Sequence, residues 1–363
     1  MPENPAASLG RPEFEAGPQA PRSPDKTVIF SDSARARRWV PPLQTDSTHD
    51  WIIFETRPNE PQGGSNGGNR VTQSSKVNFL EVGARLRAHR LGRGLSPEDL
   101  AQRLGISRAA LYRAEKGEIA KIEMLTAIAD ELHVSLPTLL GVGIEYVANA
   151  VGFFERMRQI EDDSEQIIGL FSPISYLVTT ENYDRVLADV LRESVGGGAA
   201  PDVDTILSIL SQRKQRFQQR RPLLASIISD QDLEKFLRDG LEGRFDLAPE
   251  VRQARRRMAL AEVEHIVRML REPDIGIQIG VAREPIPSTS FQIARKGGAS
   301  TLTISPFRLG HNPNIRVGVG LITQAPEALE LHEEIAQRLW ATSLKGMEAA
   351  AHVESLIAKH GIT

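Results

Sequence analysis

Between Ser96 and Gly117 the sequence marks the start and end of two short helices, and this punctuation constrains the fold more than any other feature of the 363-residue chain. Ser96 is an N-cap residue, Pro97 suits the first helical position, and Asp99 stands three residues on, in the pattern of a capping box. Leu95 and Leu100 hold the two positions of a hydrophobic staple. After Gly105 the device repeats: Ser107 caps, Ile106 and Leu111 staple, and Gly117 is placed to end the helix in a left-handed conformation. Two helices of this length joined through a glycine-containing turn make a helix-turn-helix.

The second helix has few apolar positions, Leu111 and Ala114 with Ala110 beside them, enough to anchor one face. The opposite face carries Arg108, Ala109, Tyr112 and Arg113. Arginine bonds bidentately to guanine and a small apolar group meets a thymine methyl, while Ser107 and the free amides at the helix start suit a phosphate. From Ala84 to Gly117 eight Lys/Arg stand against three acids (Glu98, Asp99, Glu115), a local excess of five positive charges in a chain whose net charge is -3. Phosphate binding needs such a local excess, and the overall balance excludes a uniformly basic coat.

This segment resembles the Cro/cI-type, or XRE-family, helix-turn-helix of transcriptional regulators. The match runs through Leu86-Arg87, Arg90, Gly94-Leu95-Ser96, Leu100-Ala101, Leu104-Gly105-Ile106-Ser107 and Glu115-Lys116-Gly117. It continues through Leu125, Ile128-Ala129, Leu132, Val134-Ser135 and Leu139-Leu140, about 60 residues in all. The resemblance implies a five-helix DNA-binding domain, with Arg87, Ser96, Ser107, Arg108, Ala109, Tyr112, Arg113, Lys116 and Lys121 as the residues expected at DNA. Two positions depart from the family pattern. Pro97 replaces the usual glutamine that touches the DNA backbone, and Ala120-Lys121 replaces the usual proline before the fourth helix. A helix-turn-helix also serves as a packing motif, and the same domain occurs in antitoxins and adaptor proteins.

Four regions are expected along the chain. Residues 1–75 hold ten of the 22 prolines and end in Gly63-Gly64-Ser65-Asn66-Gly67-Gly68-Asn69, the composition of a disordered arm. The helix-turn-helix domain spans 78–142. Residues 145–272 show helical spacing and read as a helical linker and dimerisation region, with apolar faces at 203–210 and 223–228 available to a second copy. An acidic run at 161–165 and basic runs at 213–221 and 252–257 read as solvated helix faces, or as partners across a dimer interface. From Asp274 the apolar period changes to two, through Ile275, Ile277, Ile279 and Val281. Further strands are expected over 290–294, 300–304 and 315–322, followed by helices over 325–344 and 347–359. Residues 273–363 thus read as a small α+β effector-sensing domain with an antiparallel sheet, loosely similar to domains that follow this helix-turn-helix in some actinobacterial regulators. The fold class is mainly α with a C-terminal α+β part.

The chain has no cysteine, which excludes disulfides, thiolate metal sites and a cysteine nucleophile. No apolar run is long enough for a spanning helix, and Met1 is followed by Pro-Glu-Asn-Pro-Ala-Ala rather than a signal peptide, so a cytoplasmic protein is expected. His332-Glu333-Glu334-Ile335-Ala336 lacks the second histidine of a zinc-protease helix. Gly318-Val319-Gly320 lacks a third glycine and reads as close backbone packing. No catalytic residue, metal or cofactor is expected. The expected partners are double-stranded DNA, a second copy of the chain in a homodimer on a palindromic operator, and a small-molecule effector. The other reading is a protein-binding adaptor or antitoxin-like protein with secondary DNA binding, although antitoxins of this family are usually short.

Overall fold

A computed structural model of the chain describes residues 78–119, 121–195 and 200–360, and the arm expected over residues 1–75 lies outside them. Asn78 caps α1 (Phe79–Gly92), its side chain accepting from the Leu80 amide. α2 (Pro97–Arg103) opens with the expected capping box: the Asp99 amide donates to Ser96 Oγ and the Ser96 amide to Asp99 Oδ2, both at 3.1 Å. α3 (Arg108–Glu115) begins on Ser107, whose Oγ accepts from the Ala110 amide. With α4 (Ile122–Leu132) and α5 (Leu136–Leu140) these helices close around one core that includes Val82, Leu86, Leu100, Leu111 and Ile128. Gly117 ends α3 at φ +87°, where a Cβ would stand 2.8 Å from the Leu80 nitrogen, so the turn requires glycine. The buried Arg90 guanidinium donates to Glu115 at 2.5 Å and to the Leu95 carbonyl at 2.7 Å, tying α1 to α3 and to the turn before α2.

The chain continues through β1 (Ile144–Val147), α6 (Ala150–Asp162), β2 (Gln166–Phe171), a 3-10 turn at Tyr176–Val178, α7 (Glu181–Val195), α8 (Ala200–Arg220) and β3 (Leu223–Ser229). α9 (Asp230–Asp239), α10 (Pro249–Arg271), β4 (Ile277–Ala282), β5 (Ser290–Lys296), β6 (Ala299–Ser305), β7 (Gly320–Thr323), α11 (Pro326–Thr342) and α12 (Gly346–His360) follow. The strands form one seven-stranded sheet in the order β1-β7-β6-β5-β2-β3-β4. β2, β3 and β4 run parallel, joined through helices as parallel neighbours require, and the other pairings are antiparallel. Side chains alternate between the two faces. Ile167, Leu224 and Val281 join the core beneath α6–α10 and α12, while Ile168, Ala225, Ile293 and Leu302 pack with Ala336 and Leu339 of α11.

The class read from sequence holds: the chain is mainly helical, with an α+β part closed by two terminal helices. The sheet, however, is mixed rather than antiparallel, and three of its strands (β1, β2 and β3) lie in residues 144–229, within the stretch expected to be helical. Residues 223–228, read as a helical face for a second copy, belong to β3, buried between β2 and β4. A continuous apolar run suits a buried parallel strand as well as a helix, which is why periodicity misassigned it. Residues 203–210 do lie in a helix, but Val203, Ile206 and Leu210 are buried in the chain's own core. The basic run at 213–221 meets the acidic run within the chain: Arg213 forks onto Glu161 at 2.9 and 2.8 Å, and Arg216 lies 3.6 Å from Asp162. The strand expected over 315–322 narrows to β7, whose Gly320 packs so closely that a Cβ would stand 2.1 Å from the Phe153 ring.

The helix-turn-helix is joined to the sheet by buried charge. Glu145 of β1, 3% exposed, accepts from Arg85 Nε of α1 at 3.2 Å and from Arg156 Nε and Nη2 of α6 at 2.8 and 3.1 Å. A second buried carboxylate, Glu155, accepts from Arg87 of α1 at 3.2 Å and from Arg158 at 2.8 Å. Gln159 donates to the Ala84 carbonyl at 3.1 Å. Burial alone raises the Glu145 carboxyl, but Arg156 and Arg85 outweigh it and hold the group below its ordinary value of 4.5. His89 lies 3.7 Å from the same carboxylate, and burial keeps its pKa down against the pull of Glu145.

We therefore expect Glu145→Gln to lower the unfolding free energy by about 3–5 kcal/mol, because it removes the buried counter-charge of two guanidinium groups and leaves them only the part-exposed Glu81 carboxylate at 3.7 Å. The Glu145 value is lower in the folded than in the unfolded chain. Its contribution is thus complete above about pH 4.5 and is lost as pH falls through the depressed folded value. Denaturant unfolding of parent and variant at neutral and acid pH checks this: the gap between them should narrow only on the acid side. A gap that stays constant down to pH 2 to 3, or is absent at neutral pH, contradicts it.

Candidate nucleic-acid interface

α3 buries Leu111 and Ala114, tucks the Glu115 side chain against Arg90, and leaves its opposite face open. Arg108, Ala109, Tyr112, Arg113 and Lys116 are all exposed, and Tyr112 is 60% exposed, an aromatic ring kept in water by a helix whose anchors lie opposite. Lys116 Nζ sits 5.7 Å from the centre of that ring. Arg108 pairs with Glu98 at the start of α2, Nε to Oε1 at 2.7 Å with both side chains exposed, and Arg113 has no ion-pair partner among the described residues. The first amides of α3 have no intrahelical acceptor, so helix start and arginines together present donors on one surface.

The nine residues read from sequence divide by position. Ser107, Arg108, Ala109, Tyr112, Arg113 and Lys116 share α3 and its ends. Ser96 and Lys121 are the N-cap residues of α2 and α4. The Ser96 hydroxyl donates to Asp99 at 2.6 Å, and these bonds from Ser96 hold the Asp99 carboxyl below its ordinary value. Arg87 faces Glu155 in the joint with α6.

The surface charge is also narrower than the sequence count. Arg85 and Arg90 are buried in ion pairs, Arg93 Nε donates to the Leu132 carbonyl at 3.0 Å, and Arg103 pairs with Glu131 at 2.9 Å. The cations left exposed along α3 are Arg108, Arg113 and Lys116. The partners that fix the joint, Glu145, Glu155, Arg156 and Gln159, escaped the sequence reading. Among the described residues no cluster of three or more His, Asp or Glu is placed to hold a metal ion, and no helix is long and apolar enough to cross a membrane.

With Ser107 capping a helix of eight residues, Ser107→Ala should cost about 1 kcal/mol of stability and Ser107→Gly only a few tenths. Denaturant midpoints of the two variants check this, and equal losses would show that the hydroxyl is not the cap.

Residues 86–139 match the helix-turn-helix family model, from α1 to α5. No curated protein matches the chain. Among solved structures, the apo form of ComR from S. thermophilus is similar at 15% identity and a TM-score of 0.16, over 53% of this chain and 51% of that one. The alignment thus spans about half the length of each protein.

Proposed function

We propose that this chain, whose residues 86–139 are an XRE-family helix-turn-helix domain, is a sequence-specific DNA-binding transcriptional regulator. The observation that carries the reading is the outward face of α3, where Ser107, Arg108, Ala109, Tyr112, Arg113 and Lys116 lie exposed on a helix whose opposite face is anchored by Leu111, Ala114 and the Arg90–Glu115 pair. In this reading Ser107 and the first amides of α3 hold a phosphate, and Arg108 and Arg113 bond to base edges in the major groove. Ala109 meets a thymine methyl, and Tyr112, Lys116 and Lys121 touch the backbone. One such helix covers a single half-site, so the proposal includes a homodimer on a palindromic operator, with half-sites about one turn of DNA apart. Residues from 145 onward set the geometry of the pair and respond to a small molecule.

Arg108 meets DNA in this scheme only by leaving Glu98. Glu98→Ala should therefore tighten operator binding about two- to fivefold, since it removes both an exposed ion pair and a negative charge beside the phosphates. Arg113→Ala should cost about 1–3 kcal/mol at the operator if it reads a guanine. If it holds a phosphate instead, it weakens all duplexes alike and flattens the salt dependence. Fluorescence anisotropy on operator fragments recovered by genome-wide mapping measures both. Unchanged affinity and salt slope in both variants overturns the assignment.

Sedimentation of the full chain tests the pairing: a dimer is expected, and a monomer at tens of micromolar refutes it.

A further inference from the structure

A cavity of about 80 Å³ opens between α6, the segment that follows β2, and strands β5 and β6. Aromatic rings contribute much of its apolar wall, Phe154, Phe171, Tyr176, Phe291 and Phe307 among them. Serine, threonine, glutamine and arginine side chains also line it, and two of these polar groups stand apart from the others. Ser175 and Gln292 are 1% and 2% exposed, and among the described residues neither Ser175 Oγ nor Gln292 Oε1 has a hydrogen-bond partner. An orphaned buried polar atom loses its water without compensation, at a cost of about 1–3 kcal/mol, so two around one cavity call for a ligand.

The chemistry of that ligand follows from the lining. Gln292 Nε2 donates to Glu161 Oε1 at 2.9 Å, which settles the amide's orientation and leaves Oε1 as an acceptor in need of a donor. The Ser175 hydroxyl has a proton to give. Arg213, also in the lining, is already forked onto Glu161, so it brings no unpaired charge. The remaining cation is Arg308, which is exposed. We propose that this cavity binds an uncharged, ring-bearing small molecule that donates an N–H or O–H to Gln292 Oε1 and accepts a hydrogen bond from Ser175 Oγ. The proposal rests on reading the chain as a ligand-responsive regulator, and it locates the responsive site. α6 links that site to the DNA-binding face: Phe154 and Met157 line the cavity, while Glu155 and Arg156 of the same helix hold α1.

The test is isothermal titration of the full chain with benzamide as probe, which carries a ring, a carbonyl acceptor and N–H donors without charge. Benzoate and toluene serve as the charged and the donor-free comparisons. Benzamide should bind saturably with a Kd of about 1 mM or tighter, and the two comparisons more weakly. Ser175→Ala should weaken benzamide about five- to tenfold. It should leave the melting temperature unchanged or higher, because the hydroxyl it removes has no partner in the fold. No saturation by about 10 mM, equal affinity in the variant, or tighter binding of benzoate through Arg308 each overturns the proposal. Operator binding is measured separately and without ligand. A chain that binds benzamide but no DNA overturns the regulatory reading alone, and one that binds DNA but not benzamide overturns the cavity alone.

Discussion

A carboxylate sealed between two guanidinium groups fixes how the DNA-reading part of this chain sits on its sheet. Glu145 comes from β1, Arg85 from α1 and Arg156 from α6, so three elements meet at two oxygens. Taking these ions out of water is expensive, and the attraction between them offsets that cost only when the geometry is good. Apolar packing between α1 and α6 would tolerate a slide of one helix along the other. Buried charge does not, because a slip leaves a guanidinium or a carboxylate without its partner in a dry interface. Glu155 repeats the arrangement one residue before Arg156, with Arg87 on the α1 side, so the joint is fixed at two points.

This makes α6 the shared element of the molecule. At helical spacing it presents Phe153, Phe154 and Met157 to the large core, and Glu155, Arg156 and Gln159 to α1. A rigid connection of this kind carries information only if it has two arrangements and a ligand prefers one of them. A ligand with equal affinity for both shifts nothing, however tightly it binds. The aromatic cavity lies where such a preference acts on α6 directly, since filling it presses on side chains of the helix that also holds the reading domain.

The helix-turn-helix was legible in the sequence because its determinants are local. The caps and the glycine at 117 act within a few residues, and each stands where the structure uses it. The outward face of α3 was legible for the same reason, since eight residues with only two buried anchors leave little else to place. The sheet was not. β3 reads as a continuous apolar run, and nothing within it distinguishes a buried strand from a buried helix. β1 reverses the usual rule outright. Ile144 and Tyr146 face outward while Glu145 and Val147 are buried, because a counter-ion sixty residues earlier makes the acid the inward residue. Ser175 and Gln292 were hidden in the same way: isolated polar residues gain meaning only when the fold brings them to one cavity.

The distribution of charge bears on how this domain can read DNA. The sequence count suggested a broadly basic segment, but the fold buries Arg85 and Arg90 and pairs Arg87, Arg103 and Arg108 with acids, so fewer free cations face outward than the count implies. Screening at physiological salt confines each charge to a range of about 8 Å, so the acidic remainder of the chain neither steers nor repels strongly at a docked α3. In the proposed reading, discrimination rests on base-edge contacts by Arg108 and Arg113, with Ala109 and Tyr112 supplying shape. One short helix offers too few such contacts to select a site among many competitors, and a two-fold pair doubles them without a new recognition element. Fixing α1 to the sheet by buried ion pairs suits that arrangement, because the spacing between two reading helices is only as well defined as the joint that carries each of them.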